Sequence, residues 1–155
     1  MPSRYSIDTS AILDAWVRHY PPDVFPAVWA RLDEMIATGS LIATEEVLVE
    51  LEKKADDVHK WAKARGEMFI PIDTAIQVEV STILASHPRL VDSRKNRSRA
   101  DPFVIALARL KSYSVVTAEG PTGKLEKPNI PDVCGALSVP CFNLVDMFRQ
   151  QGWKI

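Results

Sequence analysis

The chain has 155 residues, 46% apolar and 25% charged, with 19 basic residues against 20 acidic ones and a formal net charge of −1. That is the composition of an ordinary globular protein, long enough to bury its own core as one domain over residues 1–155. The near-zero balance excludes a global field that draws the chain to nucleic acid or anionic lipid, so a polyanionic partner has to be met by a local patch.

No apolar run approaches the roughly 20 residues of a bilayer span, and Met1-Pro2-Ser3-Arg4-Tyr5 lacks the apolar segment of a signal peptide. The expectation is a cytoplasmic protein without membrane contact. Cys134 and Cys141 are too few for a disulfide scaffold, and too few for a zinc site with His19, His59 and His87 scattered elsewhere. They read as small buried apolar residues.

Arg4-Tyr5-Ser6-Ile7 is a short strand stopped by Asp8, with Thr9 or Ser10 capping the helix that follows. Ala11, Ile12, Leu13, Trp16 and Val17 form that helix's apolar face, and Pro21-Pro22 end it. A second helix is predicted over Asp23–Ala37, with Gly39 past its end. Leu41-Ile42-Ala43 is the second strand, Thr44 an N-cap, and a helix runs through about Lys54 with Glu46 and Glu50 on one face. Asp56 or Asp57 caps another helix that stops at Gly66, Phe69-Ile70 is a short strand or connector, and Asp73 starts a helix that ends before Pro88.

Between Asp92 and Arg99 the character changes. Arg94, Lys95, Arg97 and Arg99 make a basic cluster without an apolar residue, which is either a solvated loop or a contact for nucleic acid. Next comes Asp101-Pro102 before an almost wholly apolar run, Phe103 to Leu110. Pro102 suits the first helical position, so Asp101 falls at or beside the N-cap of a helix packed inside the domain. Tyr113–Val116 is a strand followed by Thr117-Ala118-Glu119, then a Pro/Lys loop, a short helix opening at Pro131-Asp132, a strand Val139–Phe142 and a closing helix capped by Asn143. Short strands alternating with helices argue a mainly parallel sheet covered on both faces.

Asp8, Glu50, Asp101 and Glu119 thus fall at equivalent structural moments, just past strands or at helix starts. In a parallel sheet with right-handed crossovers such positions emerge on one edge, where ligands bind, so the acids can converge. Carboxylates crowded together repel one another, and a hard divalent cation such as Mg²⁺ or Mn²⁺ removes the conflict. No phosphate-cradling glycine loop and no G-x-S-x-G element is present. Metal-assisted hydrolysis is the chemistry left.

Ile7-Asp8-Thr9-Ser10-Ala11, Val47-Leu48-Val49-Glu50-Leu51, Ala100–Ala108 and Val115–Glu119 resemble the successive motifs of the PIN domain, the family that includes VapC-type toxin ribonucleases. The resemblance spans Ser6 to about Phe148. It implies a three-layer α/β/α sandwich and a Mg²⁺- or Mn²⁺-dependent endoribonuclease, with metal-binding and catalytic roles on Asp8, Glu50, Asp101 and Glu119. The last departs from the family's usual Thr-x-Asp. Thr9, Ser10, Glu46 and Thr117 take the positions that orient these acids, Glu50 being favoured over Glu46 as ligand by the Glu-Leu pairing. Arg94, Lys95, Arg97 and Arg99 are the candidates for gripping the RNA backbone. The resemblance further implies a cognate antitoxin as partner, and often a homodimer. Alternatives of other classes are a PIN-fold adaptor without catalysis and a DNA-directed nuclease. An Asp-nucleophile phosphatase needs a second Asp two residues after the first, where Ser10 stands.

Overall fold

A computed structural model describes residues 3–91 and 100–155. Five strands, β1 (Tyr5–Ile7), β2 (Leu41–Thr44), β3 (Phe69–Ile70), β4 (Ser114–Val116) and β5 (Cys141–Phe142), pair in parallel in the order β3-β2-β1-β4-β5. Every residue of β1 and β2 is buried, as expected of strands covered on both faces, and Ser6 is accommodated by donating its hydroxyl to Val104 O at 3.0 Å. The architecture is the three-layer α/β/α sandwich expected, with the sheet wholly parallel.

The layers are built from α1 (Thr9–Asp14), α2 (Pro26–Ala37), α3 (Glu45–Lys54), α4 (Asp56–Lys63), α5 (Thr74–Ser86), α6 (Asp101–Lys111), α7 (Ile130–Leu137) and α8 (Leu144–Gln150). Helix α6 packs across β1, β2 and β4, and its residues Val104 to Ala108 are completely buried, which accounts for the lack of a polar face in the sequence. After β3 the chain returns to the far side of β1 to form β4, so the strand order reverses at β1. Asp8 follows β1 directly and therefore stands at the topological switch point, where open α/β sheets form their crevice.

Several boundaries differ from expectation for identifiable reasons. Asp8 itself, extended at ψ 155°, is the N-cap residue of α1, and Thr9 and Ser10 lie inside the helix. Helix α2 starts at Pro26 rather than Asp23, because Val24 and Phe25 donate back to Pro21 O in a turn, leaving Pro26 the first helical position. Asp56 and Asp57 sit in the first turn of α4 behind the extended Ala55, where they complement the helix dipole without capping. Gly66 opens a 3₁₀ turn, Gly66–Met68, instead of closing α4. Helix α7 begins one residue early, at Ile130, because Asn129 and Asp132 form a reciprocal capping box.

Thr44, Asp73 and Asn143 cap their helices as expected, accepting from the amides of Glu46, Ile76 and Asp146. Gly39, at φ 77°, ends α2 in the left-handed conformation that glycine adopts without penalty. Cys134 is buried and Cys141 half-buried, both as free thiols; hydrogen bonding between them lowers the Cys141 pKa and, with burial, raises that of Cys134. Among the described residues, no helix is long and apolar enough to cross a membrane.

Candidate functional site

Three elements deliver carboxylates to one cleft at the carboxyl edge of the sheet. Asp8 leaves the end of β1, Asp101 opens α6, and Glu119 lies three residues past β4. One oxygen from each falls within 4.8 Å of the others. Asp8 and Asp101 are almost fully buried, at 1% and 2% exposure, so neither charge is well solvated. Asp101 occupies the first helical position of α6, directly after Ala100 at the N-cap, and lines the cleft.

The hydroxyls around Asp8 are arranged as a bracket. Ser10 Oγ donates to Asp8 Oδ2 at 2.6 Å and Thr117 Oγ1 donates to the same oxygen at 2.9 Å, while the two hydroxyls stand 3.2 Å apart. Each hydroxyl is itself pinned by the chain after β4: Ala118 N–H donates to Ser10 Oγ and Glu119 N–H to Thr117 Oγ1, both at 3.1 Å. Asp8 and Glu119 are thereby coupled through two hydroxyls, and the bracket fixes the plane of the Asp8 carboxylate. Burial pushes the Asp8 carboxyl above its ordinary value of 3.8; the bonds from Ser10 and Thr117 oppose that rise, and the neighbouring Glu50 adds to it.

Glu50 lines the same cleft but stands outside the three-oxygen cluster. Its Oε1 accepts from Thr9 Oγ1 at 3.3 Å, and its Oε2 faces Lys54 Nζ at 3.5 Å. Glu46, one turn earlier, does not line the cleft; its backbone N–H goes to the Thr44 cap. Glu119 reaches across to the start of α7, where its Oε1 accepts from Ile130 N–H at 3.3 Å. The intervening loop is gathered on Asp132, whose carboxylate accepts from the amides of Thr122, Gly123 and Asn129. Burial raises the Asp132 pKa, but these bonds outweigh it and hold the carboxyl below the usual range.

Asp14, Lys54 and Asn129, not among the site residues expected from the sequence, also line the cleft. The signal for the first two was present: Asp14 follows Ser10, and Lys54 follows Glu50, by one helical turn on the same face. Arg94, Lys95, Arg97 and Arg99 lie outside the described residues.

As a donor set, the cleft fits a hard divalent ion. Its ligands are carboxylate oxygens close enough to share one ion, and burial, with a smaller contribution from Glu50, raises the Asp8 pKa, a cost of holding that charge which a bound cation offsets. Over residues 5–155 the sequence matches a family described as a domain of unknown function, DUF4411. The chain belongs to the DUF4411 family. No curated protein matches it. The span matched takes in Asp8, Glu50, Asp101 and Glu119 together with the Ser10 and Thr117 bracket, so the whole cleft lies inside the DUF4411 domain.

Proposed function

We propose that this DUF4411 domain is a PIN-like, metal-dependent endoribonuclease, acting in the cytoplasm as the toxin of a toxin–antitoxin pair. The observation that carries the reading is the convergence of Asp8, Asp101 and Glu119, with Glu50 beside them, in one cleft at the switch point of a parallel sheet. The resemblance of the four acid-bearing motifs to those of PIN domains supplies the substrate class and the antitoxin partner.

Asp8, Asp101 and Glu119 would hold Mg²⁺ or Mn²⁺, and Glu50 would add a ligand from α3. A divalent ion bound there supplies an activated water and charge stabilisation at the leaving oxygen of a phosphodiester. Ser10 and Thr117 keep the Asp8 carboxylate in a fixed plane, so that its ligand geometry needs no rearrangement. Thr9 holds Glu50 in the same way. Lys54 partly neutralises Glu50 at the mouth of the cleft. Arg94, Lys95, Arg97 and Arg99, close to Asp101 in sequence, would grip phosphates, which provides affinity and salt sensitivity without sequence choice.

The test is cleavage of a mixed RNA pool by the purified chain in Mn²⁺, Mg²⁺ or EDTA, beside Asp101→Asn. Metal-dependent cutting that the variant lacks, with RNA binding retained, supports the reading. Folded protein that binds the pool and cuts nothing with either ion overturns it in favour of an adaptor, and cutting confined to DNA overturns the RNA assignment.

A further inference from the structure

We propose that the hollow next to the acid cleft, formed where α1 ends, seats a nucleobase of single-stranded RNA whose adjoining phosphate lies over the acids. This rests on the ribonuclease reading for its polymer, and on independent geometry for its location.

Helix α1 begins at the acids and does not end as a regular helix. Its continuation, Ala15–His19, is a π-helical turn closed by Tyr20 N–H donating to Ala15 O at 2.7 Å. Such turns are rare and recur at functional sites, because the extra residue re-aims the side chains that follow. Here those side chains are His19 and Tyr20, which line a cavity of about 210 Å³ together with Asn143 and Val145. Asp14 lines both this cavity and the acid cleft, and Thr117, on the cavity wall, bonds Asp8 in the cleft. The two hollows therefore adjoin, with Asp14 on the wall of both.

The aromatic wall is rigid. The Tyr20 ring packs edge-on against Phe25 and Phe148, with centroids 5.6 and 5.3 Å away, and the Tyr20 carbonyl accepts from the Trp29 indole at 2.6 Å. His19 stands beside it, centroid to centroid 6.2 Å, with its ring exposed. Asn143 uses its side-chain oxygen on Asp146 N–H, which leaves its NH₂ group to donate to a base carbonyl. A fixed aromatic, an exposed imidazole and an amide donor make a surface for one planar, polar-edged ring. A base enters such a hollow only when unstacked, which selects single strands over duplex.

The experiment uses the full ¹⁵N-labelled chain titrated with the four nucleoside 5′-monophosphates in Mg²⁺, and separately with Mn²⁺ alone. The expected result is saturable shifts of the His19, Tyr20, Ala118 and Asn143 amides. Affinity should fall roughly tenfold, the loss typical of one stacking partner, in His19→Ala, and as far in Ala118→Trp, which fills the cavity from its exposed rim. Both positions are solvent-exposed, so neither variant disturbs the core. Nucleotides that leave those amides unmoved, or bind both variants as tightly as the parent, overturn the proposal and leave the hollow to a peptide side chain. Mn²⁺ broadening at Asp8 and Asp101 without nucleotide shifts overturns the base site and spares the metal reading; shifts without broadening do the reverse.

Discussion

Replacing Asp8 by Asn should make the metal-free protein more stable and the metal-loaded protein less so. Asp8, Asp101 and Glu119 bring oxygens within 4.8 Å of one another. At that distance, with an effective permittivity near 20, each like-charge pair repels by about 3 to 4 kcal/mol. Solvent at Glu119 and the two hydroxyl bonds on Asp8 Oδ2 offset part of this, and Asn can still accept those bonds, so the net gain is about 2 kcal/mol. For a domain of this length that is a rise of about 4–8 °C in Tm. The sign follows from protonation: burial first, and Glu50 after it, raise the folded-state pKa of Asp8 above its ordinary 3.8, so between the two values the native state holds a proton that the unfolded chain has released, and above them the buried charge costs stability. Wild-type stability therefore falls as pH climbs from 3.8 through the folded value, and the advantage of Asp8→Asn should grow over that window and vanish below it. In Mn²⁺ the order reverses, since an ion at a hundred times its Kd adds about 2.7 kcal/mol to wild type. Scanning calorimetry at several pH values, in EDTA and in Mn²⁺, reads all of this. A variant that melts below wild type at neutral pH in EDTA would refute the reasoning, because Asp8 would then be stabilising as a hydrogen-bond hub.

Ile105→Ala in the completely buried stretch of α6 should cost about 2–5 kcal/mol with an unchanged denaturant slope, measured by urea unfolding; a smaller loss would mean that the helix is not the centre of the core. Ser112 ends α6 at φ 58°, a left-handed conformation that glycine adopts without the steric penalty, so Ser112→Gly should add about 0.5–1 kcal/mol by the same assay. Asp132→Asn weakens the bonds that gather the 119–130 loop and should cost about 1–2 kcal/mol at pH 7. Because the Asp132 pKa is held low, that contribution is present above 3.8 and lost as pH falls through the folded value; a difference between variant and parent that persisted in stronger acid would contradict it.

The parts of the site that sequence made legible are those set by local rules. An acid ending a short apolar strand locates Asp8, and Asp-Pro before an apolar run locates Asp101 within one residue of its helical position. Their convergence needed only that successive parallel strands share one edge. What stayed hidden depends on contacts distant in sequence. Helical spacing put Glu46 and Glu50 on one face and only the Glu-Leu pairing favoured Glu50; the contact that brings Glu50 to the cleft, the bond from Thr9 where α3 meets α1, left no sequence trace. The π turn at Ala15–His19 leaves no periodic trace, since the Tyr20 that closes it is held by Phe25, Trp29 and Phe148. The early start of α7 is a capping box, legible in Asn129 and Asp132 but masked by the stronger cue of Pro131.

The glutamate at position 119, where Asp8 and Asp101 are aspartates, has a physical account in the same geometry. Asp8 and Asp101 are carried directly by elements buried in the core, so their Cα positions are fixed and a short side chain suffices. Glu119 begins a long loop instead, and its carboxylate has two tasks: to accept from Ile130 N–H at the start of α7 and to place an oxygen within 4.8 Å of the two aspartates. Spanning from a loop to both takes the additional methylene. The hydroxyl bracket explains how that loop still registers with the cleft, because Glu119 N–H and Ala118 N–H bind the same two hydroxyls that hold Asp8. The least rigid acid is thus tied to the most buried one, and the charge array stays assembled although one member has no regular element beneath it.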